Sequence, residues 1–172
     1  MAPDRIGPLG PGGRAGPVLS GVAPRAGRDS ERDGNGPDGC TLSIRSDRRF
    51  LVECLEHEVR TRAPGIRVLP WPPGPDRATP LVCLAEVGDA PGPAGMAALL
   101  ADLRDEAGPD AVLILARTPP PGAALDWIRA GARGVVPFDA SLSLMIAAVG
   151  LAAAGGHVLP ADEIARLAGG PA

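Results

Sequence analysis

Few residues in this 172-residue chain are of a type and spacing that could do chemistry. Its three cysteines, Cys40, Cys54 and Cys83, stand at wide and unrelated spacings. An odd count without a C-x-x-C pair argues against a disulfide framework and against a zinc site. Cys54 and Cys83 lie among apolar residues, where a free thiol behaves as a small buried hydrophobe. His57 falls on the polar side of a helical stretch and His157 follows Gly155-Gly156. Neither has a second ligand at metal spacing. The Gly-containing run 87–92 lacks the spacing and the lysine of a phosphate cradle. No nucleophile, base and orienting group can be assembled, so no catalytic residue, metal or cofactor is assigned and the chain reads as a non-enzyme. Two acids remain, each just after an apolar run. Asp47 precedes a helix and reads as its cap; Glu86 reads as a solvated loop acid.

Hydrophobic period sets out the elements that position these residues. A strand is expected at 41–45. A helix follows over 48–62, where Phe50, Leu51, Cys54, Leu55 and Val59 recur at helical spacing. A second strand lies at 65–69, after which Pro70-Trp71-Pro72-Pro73-Gly74-Pro75 forbids a helix. Leu81-Val82-Cys83-Leu84 is a third strand, an unbroken apolar run suited to a sheet covered on both faces. Met96, Leu99, Leu100 and Leu103 mark a helix stopped by Gly108-Pro109. Residues 111–115 form a fourth strand, Leu125 and Ile128 lie on a short helix ending at Gly131, and Val135 and Val136 make a fifth strand. Ser141 caps a last long helix closed by Gly155-Gly156, and a short helix spans 160–167.

Strands alternating with helices predict an α/β fold with a doubly wound, five-stranded parallel sheet. In such sheets the functional crevice lies at the carboxyl ends of the strands. The residues placed there are Ser46 and Asp47, Ala85 or Glu86, Ala116, and Phe138.

Composition narrows the class further. Glycine numbers 24 and proline 21, about a quarter of the chain, so part of it is expected to be disordered. Residues 1–39 hold ten Gly and six Pro, with few apolar residues and no periodicity, and read as a disordered arm. Residues 169–172 read as a short tail. The net charge of −3 gives no footprint for direct nucleic-acid binding. The longest greasy stretch, 142–154, is interrupted by Ser143 and too short to span a bilayer. With no apolar leader at the N-terminus, a cytoplasmic location is expected.

Ala130-Gly131-Ala132-Arg133-Gly134-Val135-Val136-Pro137 is followed by Asp139-Ala140-Ser141, and later by Ala153-Ala154-Gly155-Gly156-His157-Val158-Leu159-Pro160. Together these resemble the end of a CheY-like receiver domain, and most closely the response regulators that carry a LuxR-type helix-turn-helix. The resemblance covers roughly 41–168 and implies a flavodoxin-like strand order. It also implies a phosphoryl site: an Asp after the third strand, two acids after the first to hold Mg²⁺, a hydroxyl after the fourth and a Lys after the fifth.

This chain departs from that pattern. Ser46 and Asp47 occupy the acidic pair, so one carboxylate is lost. The acceptor position falls on Ala85, or on Glu86 if the strand runs one residue further. Ala116 removes the hydroxyl, and Thr118 restores one only if the register slips. Phe138 takes the Lys position. That loss does not depend on register, because all 17 basic residues are Arg. Arg117 is the nearby source of charge that remains. A degenerate receiver over 40–168 is therefore expected, a signalling module working by protein contact without phosphorylation. Two alternatives stand beside it. One is a LuxR-type transcriptional regulator dependent on a partner, since the chain stops near Leu167, where a DNA-binding domain would begin. The other is a small-molecule sensor using the vacated pocket around Asp47, Ala85, Ala116 and Phe138.

Two further features point to partners. A receiver places a helix between its second and third strands, and here only 70–79 joins them. The sheet face exposed there needs cover from Trp71-Pro72-Pro73, from the N-terminal arm or from another chain. The last long helix has Ser143 as its one polar side chain, whereas a surface helix should show a polar face. A homodimer or a complex with a receiver-like protein is expected through this helix and the one carrying Trp127, with Leu144, Ala147 and Leu151 at the contact.

Overall fold

The computed structural model describes residues 39–75 and 78–169. Apart from Gly39, the arm expected at 1–39 lies outside them, as does the tail beyond Gly169. The chain order is β1 (Cys40–Arg45), α1 (Arg49–Arg62), β2 (Ile66–Leu69), β3 (Leu81–Val87), α2 (Pro93–Ala107), β4 (Ala111–Ala116), α3 (Ala123–Arg129), β5 (Gly134–Pro137), α4 (Leu142–Ala153) and α5 (Ala161–Gly169). The five strands are all parallel in the order β2-β1-β3-β4-β5. This is the doubly wound, flavodoxin-like sheet expected from the alternation of elements.

The two-residue period of a strand sorts its side chains between two core layers. Leu42 and Ile44, Val82 and Leu84, and Leu113 and Leu115 face the layer that includes Val59 of α1 and Met145, Ala148 and Val149 of α4. Cys83 and Ala85, with Val112 and Ile114, face the layer holding Met96 and Leu100 of α2 and Trp127 of α3. Because β3 and β4 are covered on both faces, both read as unbroken apolar runs. Helix punctuation follows local chemistry. Ser141 Oγ accepts from the Leu144 amide at 3.2 Å and caps α4. Pro93 opens α2, and Gly108 closes it in the left-handed conformation at φ 52°.

Three expectations change at this level. β3 runs on to Val87 instead of ending at Leu84, which takes Ala85 and Glu86 into the strand. Cys54 is exposed, because α1 turns Leu51, Val52, Leu55 and Val59 towards the sheet and leaves Cys54 outside that stripe. Cys40 and Cys83 are the buried thiols, and burial pushes Cys83 up to about 12 against the pull of the Arg45 charge. Asp47 does not cap α1. The N-cap position is Arg48, without a side-chain cap, and the Arg48 amide donates to Ser46 Oγ at 2.9 Å.

Among the described residues, no helix lies between β2 and β3. The sheet face this would bare is polar where it matters. Thr41 and Ser43 are buried on β1. Thr41 Oγ1 lies 2.6 Å from Thr79 Oγ1, and Ser43 Oγ donates to the Leu69 carbonyl at 2.9 Å. Both hydroxyls are thereby satisfied without a covering helix. Trp71 folds back against the core layer beneath α2 and α3, and its Nε1 donates to Glu106 Oε2 at 2.9 Å. Among the described residues, the Trp71 segment covers part of this face.

The opposite sheet edge is also closed. Val158 makes a parallel bridge to Gly134. The Val135 amide donates to the Val158 carbonyl at 3.0 Å, and the Val158 amide donates to the Arg133 carbonyl at 3.1 Å. This caps an edge that would otherwise expose unpaired backbone. α5 follows and is anchored by Glu163. That carboxylate is buried, accepts from the Gly122 amide at the start of α3 at 2.9 Å and pairs with Arg166 at 2.7 Å.

Candidate functional site: the carboxyl ends of the strands

The sheet topology brings Ser46, Arg48, Glu86, Arg117 and Phe138 to one rim, from the ends of β1, β3, β4 and β5. Glu86 is the centre of this cluster and corrects the reading of it as a solvated loop acid. Its side chain is only 7% exposed and pairs with Arg48 Nε at 3.2 Å. Ser46 Oγ donates to Glu86 Oε2 through a short hydrogen bond. Ser46 also accepts from the Arg48 amide, so one hydroxyl ties the β1–α1 turn to the end of β3.

Phe138 completes the rim. Arg48 Cζ lies 5.6 Å from its ring centroid and Arg117 Cζ lies 4.9 Å from it, within reach for cation–π attraction. The ring packs against the core layer beneath α1 and α4. The structure separates the four residues expected around a vacated pocket, Asp47, Ala85, Ala116 and Phe138. Ala85 and Ala116 are buried in the opposite core layer, Phe138 packs against the layer beneath α1 and α4, and Asp47 stands exposed outside the cluster. Thr118 is exposed and supplies no hydroxyl to the cluster.

Chemically, the cluster is a resident anion held by its own cation and hydroxyl donor. Glu86 and Arg48 satisfy each other, and Arg48 and Arg117 are both drawn to an aromatic ring. Among the described residues, no group of three His, Cys, Asp or Glu side chains could hold a metal ion. The burial asymmetry of the ion pair predicts unequal mutational costs. Arg48 is half exposed and returns to water when released, whereas Glu86 is nearly enclosed. Arg48→Ala should destabilise the fold by about 1–3 kcal/mol, because it strands a buried carboxylate. Glu86→Gln should cost less than about 1 kcal/mol, since it leaves only a solvated guanidinium behind. Urea unfolding of both variants checks this; equal costs would mean that Glu86 reaches water despite its burial.

The four residues expected at a partner interface separate into two sets. Leu144, Ala147 and Leu151 are exposed along one side of α4, Leu144 at 53% and Leu151 at 48%. Trp127 is not at the surface. It is 1% exposed, and its Nε1 donates to the Pro91 carbonyl at 3.0 Å. A ring wholly enclosed between α2, α3 and the sheet serves the core, so Trp127 is withdrawn from the interface.

The five-stranded parallel sheet, its order β2-β1-β3-β4-β5 and the helices between its strands match the flavodoxin-like fold of response-regulator receiver domains. Solved structures bear this out. A LuxR family DNA-binding response regulator from Silicibacter pomeroyi aligns with a TM-score of 0.51 at 19% identity, over 72% of this chain and 98% of that one. A two-component response regulator of the LuxR family from Aurantimonas sp. SI85-9A1 aligns with a TM-score of 0.52 at 16% identity, over 77% of this chain and 96% of that one. The response regulator ChrA of a heme-sensing two-component system aligns with a TM-score of 0.50 at 19% identity, over 79% of this chain and 68% of that one. At the level of sequence, no protein-family model and no curated protein matches the chain. No helix among the described residues is long and apolar enough to cross a membrane.

Proposed function

We propose that this chain is a cytoplasmic receiver-like signalling module that acts by protein contact and independently of phosphorylation. One observation carries the reading: the acid at the end of β3 is already neutralised from within, by Arg48 and Ser46. Phosphoryl transfer needs an open carboxylate acceptor, a metal held by acids, and fixed donors for the equatorial oxygens. Ala85, Ala116 and Phe138 bring no such donor, and the rim's own donors are engaged, Ser46 and Arg48 with Glu86 and Arg117 with the Phe138 ring. Acetyl phosphate with Mg²⁺ is expected to leave the intact mass of the protein unchanged. A gain of one phosphoryl group overturns the proposal.

The contact surface in this reading is the outer side of α4. That helix has no charged residue, and Leu144, Ala147 and Leu151 leave an apolar stripe facing outward at spacings of three and four. A second copy of the chain is the proposed partner, since a stripe on one helix meets its own copy across a two-fold axis. Light scattering at high protein concentration is expected to report a dimer, and Leu151→Glu to return it to monomer. A wild-type monomer throughout would remove the homodimer. Regulation of transcription through a partner is a second reading, favoured by the LuxR-family membership of two structural neighbours.

A further inference from the structure

Beside the Glu86 cluster, on the β2 side of the β1–α1 turn, lies an open cleft of about 480 Å³. Ile44, Arg45, Val52, Pro70 and Trp71 line it. It lies where the crossover after β2 runs without a helix, outside the carboxyl ends of β1 and β2. Such a volume suits a small molecule, and strand carboxyl ends are where α/β sheets take their ligands.

The charges around the cleft are mostly committed. Glu56 is held by Arg60 at 3.1 Å, and Arg49 by Glu53 at 2.8 Å. Arg48 turns away to Glu86. Arg45 is different: it is half-buried, its guanidinium has no hydrogen bond or ion pair among the described residues, and the titratable group it acts on is the buried, protonated Cys83 thiol. An unpaired guanidinium kept partly from water is unfavourable until an anion meets it, and its planar fork matches a carboxylate. The walls are mixed; their apolar part includes the Trp71 indole and Pro70, which suit a flat ring. Asp47 and Glu56 also border the cleft and oppose a multiply charged anion such as phosphate more than a singly charged one.

We propose that this cleft binds a small aromatic carboxylate, with the acid group on Arg45 and the ring against Pro70 and Trp71. This goes beyond the protein-contact reading and does not rest on it. The cleft adjoins the Glu86 cluster through Ser46, while its proposed anion contact is Arg45 and not a member of that cluster.

Calorimetry on the full chain with indole-3-acetate and benzoate tests it, with indole and inorganic phosphate as partial probes. Saturable one-to-one binding of the two acids is expected, with indole and phosphate each weaker by about tenfold or more. Arg45→Met should weaken the acids about tenfold or more, while Arg129→Met, at an exposed position on α3, should leave them unchanged. Arg45→Lys keeps the charge but not the fork and should fall between, which preserves the comparison if Arg45→Met does not fold. Absence of saturable binding by both acids, equal binding by a folded Arg45 variant, or phosphate binding as tightly as the acids overturns the proposal.

Discussion

Trp127→Ala should lose about 3–5 kcal/mol of stability, the largest single-residue effect expected in this chain. Trp127 is among the largest fully buried side chains and sits in the core layer with Met96, Leu100, Ile114 and Val135. Removing the indole leaves a cavity that α2 and α3 cannot collapse into without moving off the sheet. It also orphans the Pro91 carbonyl, which accepts from Trp127 Nε1 at the loop leading into α2. A domain of this size typically has only about 5–15 kcal/mol to lose, so the variant should unfold at much lower urea or fail to accumulate. Trp127→Phe should recover most of the volume but not the hydrogen bond, and should fall between. A loss under about 1 kcal/mol for Trp127→Ala would return Trp127 to the surface role first expected of it.

Gly134→Ala carries the second large effect, through close approach instead of lost volume. A Cβ built at Gly134 would lie 2.5 Å from the Val158 carbonyl oxygen, 2.6 Å from Val158 Cβ and 2.8 Å from its amide nitrogen. Two of those three are backbone atoms, so no side-chain rotation relieves the clash. Either β5 or the segment carrying Val158 must move, at a cost of about 1–3 kcal/mol. The weaker party is the Val158 segment, held to β5 by an isolated bridge. The expected outcome is a β5 edge stripped of its cover. The Val135 amide, which donates to Val158, should then exchange with solvent far faster than in the wild type. Unchanged protection of that amide would show that the strand edge can absorb a methyl group.

These two positions illustrate what local pattern can and cannot show. The sequence run from Gly131 to Pro137 marks a turn and a strand, yet nothing in it says that Val158, more than twenty residues away, lies against Gly134. Trp127 reads from the sequence as an interface residue, because a short helix with Leu125 and Ile128 beside it does not define which face meets the core. Asp47 looked like a helix cap from its place before α1, but Ser46 makes the local hydrogen bonds there.

The sequence by itself determined the alternation of strands and helices, the parallel sheet, the absence of a helix after β2, and the loss of the lysine. Each of these depends on local period, on proline, or on composition, and none needs to know what a residue touches. The tertiary structure alone decided the fate of Glu86. Its partner Ser46 lies 40 residues away, and only the pairing of β1 beside β3 brings the two together. The assembled sheet and its helices likewise leave Arg45 in a cleft, Phe138 beneath two guanidinium groups and Leu151 in water. Burial and charge pairing are properties of the assembled sheet, so a one-dimensional pattern can nominate such residues but cannot say which of them meet.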